Sequence, residues 1–174
     1  MIQYKKYYMP GTKEELLKTI DTIDCTYDIL AGGTDLYAKE KTPFNGADAA
    51  IDISGIKEFS VIKLKKEEGL ITFGSNICIQ QFLEEKVLME NVPILRHAAI
   101  YFADQQIREM ATVGGNVANS SPSGDTIAPL TALEAVIHTI TSKDNKICEK
   151  ETPITEFITG VGKNLLEKGE VISS

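Results

Sequence analysis

Short apolar runs alternate along this chain with apolar residues at helical spacing, a pattern that predicts interleaved strands and helices rather than repeats or low-complexity tracts. Tyr4 to Tyr8 reads as a strand. Thr12-Lys13-Glu14-Glu15 then has capping-box form, in which the Thr12 hydroxyl and the Glu15 carboxylate can satisfy the first free N–H groups of a helix. Leu16, Leu17 and Ile20 follow at helical spacing, so the helix is expected to reach about Ile23 with one face buried. Tyr27 to Ala31 is a short strand, Thr34 to Lys41 a second short helix, and Ala49 to Ile53 a buried strand.

The texture changes beyond Ser54. Phe59 to Leu64 and Leu70 to Phe73 flank a turn at Lys65 to Gly69 and predict an antiparallel hairpin. Ile79 to Glu85 and Ile94 to Phe102 are helical, and Pro93 suits the first turn of the latter, where a missing N–H costs nothing. Asp125, at the end of the loop Ser120-Ser121-Pro122-Ser123-Gly124-Asp125, is expected to cap a helix running through Glu134. Ala135 to Thr141, a turn at Ser142 to Asn145, and Lys146 to Glu149 form a second hairpin. These elements make an α+β chain with a small first lobe, residues 1–53, and a larger, more antiparallel second lobe, residues 54–174.

Two segments stand out from this pattern. Ile29-Leu30-Ala31-Gly32-Gly33-Thr34-Asp35-Leu36 and Ala111-Thr112-Val113-Gly114-Gly115-Asn116 each carry an apolar run into a double glycine and then a polar side chain. Glycine admits positive φ and close backbone approach, so successive N–H groups can converge on an anion. Two such turns can clamp one diphosphate from both sides. A single Gly-Gly is explained well enough by a tight turn; the pair is harder to explain that way. Neither extends to G-x-G-x-x-G, and G-x-x-x-x-G-K-[ST] is absent, so Rossmann and P-loop readings lack their spacing.

Composition narrows the chemistry further. With 18 Lys and Arg against 25 Asp and Glu the net charge is −7, and no basic stripe offsets it, which argues against nucleic acid as a partner. No apolar run approaches a membrane span, and Met1 to Lys6 has no signal-like core, so no membrane insertion is expected and the chain reads as cytoplasmic. Cys25, Cys78 and Cys148 are odd in number and widely spaced, unlike a disulfide framework or a metal cluster. His97 and His138, in a helix and a strand without H-E-x-x-H or G-x-S-x-G, read as structural, and the scattered carboxylates as a solvated surface.

AGGTDL (Ala31 to Leu36) with ATVGGNVANSSPSGDTIAPLTALEA (Ala111 to Ala135) resembles the FAD-binding subunit or domain of the xanthine dehydrogenase and carbon monoxide dehydrogenase family of molybdenum hydroxylases. Tyr7-Tyr8-Met9-Pro10, Asp52-Ile53, Gln106-Ile107-Arg108 and Phe157 to Glu170 fall in family order, so the resemblance covers essentially the whole chain. It implies a two-lobed FAD-binding fold of the p-cresol methylhydroxylase or vanillyl-alcohol oxidase type, with the dinucleotide extended between the lobes. By position, Leu30, Ala31, Gly32, Gly33, Thr34, Asp35, Leu36 and Tyr37 become the first diphosphate-binding turn. Thr112, Val113, Gly114, Gly115 and Asn116 become the second, with backbone N–H groups and the Thr34 and Thr112 hydroxyls as donors. Asp125 matches an acidic position at the cofactor's polar portion and can also serve as a helix cap. Phe102 matches an aromatic position near the flavin, although core packing explains it equally, and Ile172 an apolar position near the isoalloxazine.

The same resemblance implies electron transfer, with no side chain in a catalytic proton-transfer role. The molybdenum cofactor and iron–sulfur clusters would reside on partner subunits bound to the larger lobe, and FAD would pass their electrons to NAD or another acceptor. Family members continue past the G-E-x-I segment into a C-terminal domain of about a hundred residues. This sequence stops at Ser174, so it is expected to lack that domain, leaving the flavin site open on one side and apolar surface exposed near Ile172. Two alternatives stay open: a self-contained flavin oxidoreductase, and a non-catalytic or nucleotide-binding remnant of the fold.

Overall fold

The computed structural model describes residues 4–38, 47–143 and 146–174. Met1 to Gln3, residues 39–41 of the expected second helix, and Asp144 and Asn145 of the expected turn lie outside them. Three strands, β1 (Lys6–Tyr8), β2 (Tyr27–Leu30) and β3 (Ala49–Asp52), form a parallel sheet in the order β1-β3-β2. The central strand is buried at all four residues, and accordingly its sequence shows no polar alternation. Helix α1 (Lys13–Thr22) buries Leu16 and Leu17. Its cap forms as expected at Thr12, whose Oγ1 accepts from the Glu15 N–H at 3.2 Å. The reciprocal bond falls one residue earlier than a strict capping box, with Glu15 Oε2 accepting from the Gly11 N–H at 2.8 Å. Helix α2 (Thr34–Ala38) starts directly after the first double glycine.

A buried 3₁₀ turn, Lys57–Ser60, holds Phe59, so the following strand starts later than expected: β4 (Ile62–Lys65) pairs with β5 (Leu70–Phe73) across Gly69 at φ +62°. Helices α3 (Gln81–Glu84), α4 (Lys86–Asn91), α5 (Pro93–Tyr101) and α6 (Gln105–Met110) follow. Ile79, expected inside α3, instead gives its N–H to the Ala111 carbonyl at 2.9 Å, which ties this segment to the second glycine motif.

That motif is not a strand followed by a turn. It forms helix α7 (Val113–Asn119), with Thr112 as N-cap and Gly114 and Gly115 inside the first helical turn. Helix α8 (Ile127–Ala132) is shorter than expected and is preceded at the N-cap position by Thr126, without a side-chain cap bond. Asp125 is exposed and caps nothing, because the chain enters the helix one residue later. Strands β6 (Val136–Lys143) and β7 (Lys146–Pro153) pair along their whole length, four residues further than expected on β7. The turn α9 (Ile154–Phe157), the small hairpin β8 (Ile158–Gly160) and β9 (Lys163–Asn164), and β10 (Val171–Ile172) complete the chain. β10 adds antiparallel to β6, giving the order β10-β6-β7.

Two apolar cores result. One gathers Leu16, Leu17, Ile51, Ile53, Ile56 and Phe59 with Ile140 from β6 and Val171 from β10. The other is built around Phe82, Leu95, Phe102, Val117 and Phe157 and includes Ile172. Ile172 is only 6% exposed, contrary to the expected apolar opening at this residue, because pairing with Thr139 lays it against the second core.

Candidate functional site

A parallel strand ends in a crevice where ligands are commonly received, and the loop leaving β2 carries the first double glycine into one. A cavity of about 490 Å³ is lined there by Ala31, Gly32, Gly33, Thr34, Asp35 and Leu36 from the β2–α2 loop, and by Thr112, Gly114, Gly115 and Asn116 from the start of α7. Phe102 and Ile172 also line it. Four expected site residues do not. Leu30 packs beneath the Gly33 turn, Tyr37 lies over it with its ring exposed, Val113 is buried in the second core, and Asp125 stands outside on the α8 approach.

The glycines are required for different reasons. Gly33 sits at φ +71°, a conformation side chains disfavour. A Cβ on Gly32 would lie 1.8 Å from the Met110 carbonyl oxygen, and one on Gly114 2.5 Å from the Ser75 Cβ. Packing therefore accounts for both. A Cβ on Gly115 would approach only the Thr112 Oγ1, at 2.9 Å. Gly115 also lines the cavity, so a larger side chain there would narrow it.

Donor geometry separates the two motifs as well. The first-turn N–H groups of α7 are already taken: Val113 donates to the Ile77 carbonyl at 2.9 Å, Gly114 to the Ser75 carbonyl at 2.9 Å, Gly115 to the Thr112 Oγ1 at 3.1 Å, and Asn116 to the Thr112 carbonyl at 3.0 Å. Among the described residues, no protein acceptor takes the N–H of Gly33 or Thr34. The first loop thus offers donors to an anion, and the second supplies a close wall. Asn119 Nδ2 donates to Asp35 Oδ1 at 3.1 Å and joins α7 to α2 across the two motifs. Among the described residues no Lys or Arg lines the cavity, and the ionisable side chains that do are Asp35 and Glu170, the latter accepting from the Thr139 hydroxyl and the Glu167 N–H.

The aromatic wall is held from behind. Arg108 Nη1 donates to the carbonyls of Phe102 at 3.0 Å and Ala103 at 3.1 Å, while its Nε donates to Gln80 Oε1 at 2.9 Å. This fork stabilises Ala103 at φ +37°, the bend that turns Phe102 onto the cavity. On the other flank, the Tyr7 hydroxyl donates to Asp52 Oδ2 at 2.5 Å, and that bond pushes the phenol up to about 12. Burial, and secondarily Glu109, pushes the Cys78 thiol up, away from nucleophilic reactivity.

Residues that sequence reasoning missed are Ile53, Ile107, Leu166 and Glu170, which extend the wall, and above all Ser75 and Asn76. Ser-Asn after a glycine reads as an ordinary turn, and nothing in the sequence marks it as buried. Asp125 reaches the site only indirectly, through the neighbouring Thr126, whose hydroxyl donates to Asn116 Oδ1 at 2.5 Å. His97 lies on α5 edge-on to Tyr101, and His138 Nδ1 is 3.6 Å from Glu151 Oε1. Among the described residues no group of three or more His, Cys, Asp or Glu is placed to hold a metal ion, and no helix is long and apolar enough to cross a membrane.

Comparison with known proteins bears on the family and the fold. A family model described as the FAD binding domain in molybdopterin dehydrogenase matches residues 2–174. The nicotinate dehydrogenase FAD-subunit of Eubacterium barkeri is 29% identical over 97% of this chain and 56% of its own length. The xanthine dehydrogenase FAD-binding subunit of Escherichia coli O157:H7 is 31% identical over 83% of this chain and 48% of its own. Among solved structures, a chain of carbon monoxide dehydrogenase from Hydrogenophaga pseudoflava superposes with a TM-score of 0.89 at 25% identity, over 99% of this chain and 58% of that one. The chain therefore spans about half the length of the curated relatives it matches. Its architecture is the two-lobed α+β FAD-binding fold of the p-cresol methylhydroxylase or vanillyl-alcohol oxidase type.

Proposed function

Because the chain belongs to the family of FAD-binding domains in molybdopterin dehydrogenases, we propose that its cavity takes FAD and that it acts as the electron-transfer component of a multi-subunit, xanthine dehydrogenase-like molybdenum hydroxylase. The observation that carries this reading is the meeting of both glycine motifs, remote in sequence, in the wall of one cavity. The residues present suit a dinucleotide. The N–H groups of Gly33 and Thr34 face an anion without competing acceptors, and Gly115 leaves room for it. Phe102 and Ile172 offer apolar surface to a flat ring system, and Tyr37 lies at the rim of the first loop. Residues 1–53 and 54–174 serve as the two lobes of the cofactor site.

Bound FAD supplies the exchange between one-electron carriers and a two-electron acceptor. The chain's own part is to bind, orient and partly shield it. Helix α7 fixes the far wall, Arg108 holds the bend that presents Phe102, and no side chain is assigned a proton-transfer step. Electrons would arrive from iron–sulfur clusters on one partner subunit, in a complex whose molybdenum cofactor sits on another, and leave to NAD or a different acceptor. A cytoplasmic setting accords with this scheme.

Flavin-fluorescence titration tests the reading. FAD is expected to bind at least about tenfold more tightly than FMN or riboflavin, since the smaller flavins lack the diphosphate that the first loop receives. Equal affinities would overturn the assignment of that loop. No binding of any flavin would favour a non-catalytic or nucleotide-binding remnant of the fold.

A further inference from the structure

Thr126 stands at the N-cap position of α8 without making a side-chain cap bond. Its backbone, at φ −87° and ψ −18°, is helical rather than extended, so the hydroxyl does not reach the N–H groups ahead of it. The residue is buried and does not line the cavity. Among the described residues its hydroxyl has one partner, Asn116 Oδ1, to which it donates at 2.5 Å, a separation that belongs to O–H···O bonds and is too short for an amide N–H donor. A Cβ on Gly124 would come within 3.1 Å of the same Oδ1, so the loop before α8 closes on that end of the amide. The other end faces away from the loop. Thr112, Gly115, Asn116 and Asn119, three and four residues apart, all line the cavity, whereas Val113 and Val117 pack in the second core. That face of α7 is therefore turned to the cavity. Among the described residues no acceptor takes the two N–H groups of Asn116 Nδ2. Nor is this nitrogen sealed in: the buried side-chain nitrogens and oxygens without a partner among the described residues are Ser75 Oγ and Asn76 Oδ1, so Nδ2 of the half-buried Asn116 keeps accessible surface.

We propose that Thr126 is a positioning residue whose hydroxyl fixes the Asn116 amide so that Nδ2 donates to the diphosphate of bound FAD from the α7 side, a role that rests on the reading of the cavity as a FAD site. A primary amide can present either end to a ligand; its nitrogen attracts a phosphate and its oxygen repels one. Orientation therefore decides whether Asn116 helps or hinders. The backbone N–H groups at the start of α7 are spent on Ile77, Ser75 and Thr112, and Asn119 Nδ2, three residues on, is committed to Asp35. Asn116 Nδ2 is a donor that this face still has to give. The pairing also accounts for a threonine that leaves its own helix uncapped. The Ser121 to Thr126 segment, tied by resemblance to the cofactor through Asp125, then acts on it through Thr126 and Asn116 instead.

The test reads substitutions at both residues against FAD, ADP and riboflavin by equilibrium titration. Thr126→Val keeps the shape of the side chain and removes the donor. FAD and ADP are expected to bind it about tenfold more weakly, the size of one hydrogen bond to a charged group, while riboflavin, which has no phosphate, binds as it does to wild type. Thr126→Ser restores the hydroxyl and is expected to restore FAD affinity. Asn116→Ala is expected to lose about as much as Thr126→Val, and the double variant no more than either, because the threonine acts only through the amide. Thr126→Ala carries the same expectations and replaces the valine variant should that one not fold. Wild-type FAD affinity without the Thr126 hydroxyl, a loss shared equally by riboflavin, or losses that add in the double variant would each overturn the positioning role and leave the FAD reading standing. Wild-type protein that binds no FAD removes both.

Discussion

A methyl group on Gly32 would sit 1.8 Å from the Met110 carbonyl oxygen, whereas one on Gly115 would meet only the tip of the Thr112 side chain. The same substitution therefore has opposite meanings at two glycines that look alike in the sequence. Gly32→Ala is expected to destabilise the fold by about 3 kcal/mol, visible as a lowered urea midpoint, because backbone rather than a side chain must move. Gly115→Val is expected to remain folded by circular dichroism and to lose about tenfold or more in FAD affinity. Unaltered affinity in a folded Gly115→Val protein would show that no ligand passes over that position. The sequence marks all four glycines as special but not why, since the reasons lie in residues distant along the chain: Met110 behind Gly32, Ser75 behind Gly114. Ser75 and Asn76 were invisible for a related reason. Their place in the cavity wall is a property of the packed state alone.

Among the elements, those with a regular period were readable and those defined by a few contacts were not. The Thr12 cap, the three short runs of the parallel sheet and the hairpin that begins at Val136 follow from spacing and turn residues. Helix α7 did not, because Val-Gly-Gly-Asn has poor helix propensity and its first turn is held by outside carbonyls at Ile77 and Ser75. β9 and β10, two residues each, are too short to show any period. The edge strand β1 carries its own signature in titration. Tyr7 holds its proton against Asp52 on β3, and the folded-state value near 12 exceeds the ordinary phenol value of 10.0. The folded protein binds that proton more tightly than the unfolded chain, so this contribution to stability is whole below about pH 10 and is lost as the pH rises toward 12. Denaturation across pH 9 to 12 is expected to show a shallower alkaline decline in Tyr7→Phe than in wild type. An identical decline would mean that the bond to Asp52 does not couple β1 to β3 in solution.

For the whole molecule, a net charge of −7 and a cavity that no Lys or Arg lines among the described residues set an unusual condition for binding an anion. On the proposed reading, neutral N–H groups hold the diphosphate while carboxylates, Asp35 and Glu170 of the lining among them, repel it. Raising the salt concentration from about 0.05 to 0.5 M shortens the screening length to a few ångströms and is expected to leave FAD affinity unchanged or modestly tighter, as read by equilibrium titration. A severalfold weakening would place a cationic side chain at the phosphates and overturn the neutral-donor account. The change from parallel to antiparallel pairing after β3 was legible in the texture of the sequence near residue 53. The traffic between the lobes was not legible, since Ile56 and Phe59 from beyond that point share the first core with Ile140 and Val171.

That sharing reaches into how the protein is made. Leu16 and Leu17 emerge early in synthesis, whereas Val171, which packs in their core, emerges long after them. The parallel sheet can pair before then, but its apolar face stays uncovered until β10 arrives to lie along β6. Strand β10 must be translated before helix α1 has a finished core to rest on, so a nascent polypeptide of this design keeps an early apolar face bare until a segment far along the sequence arrives.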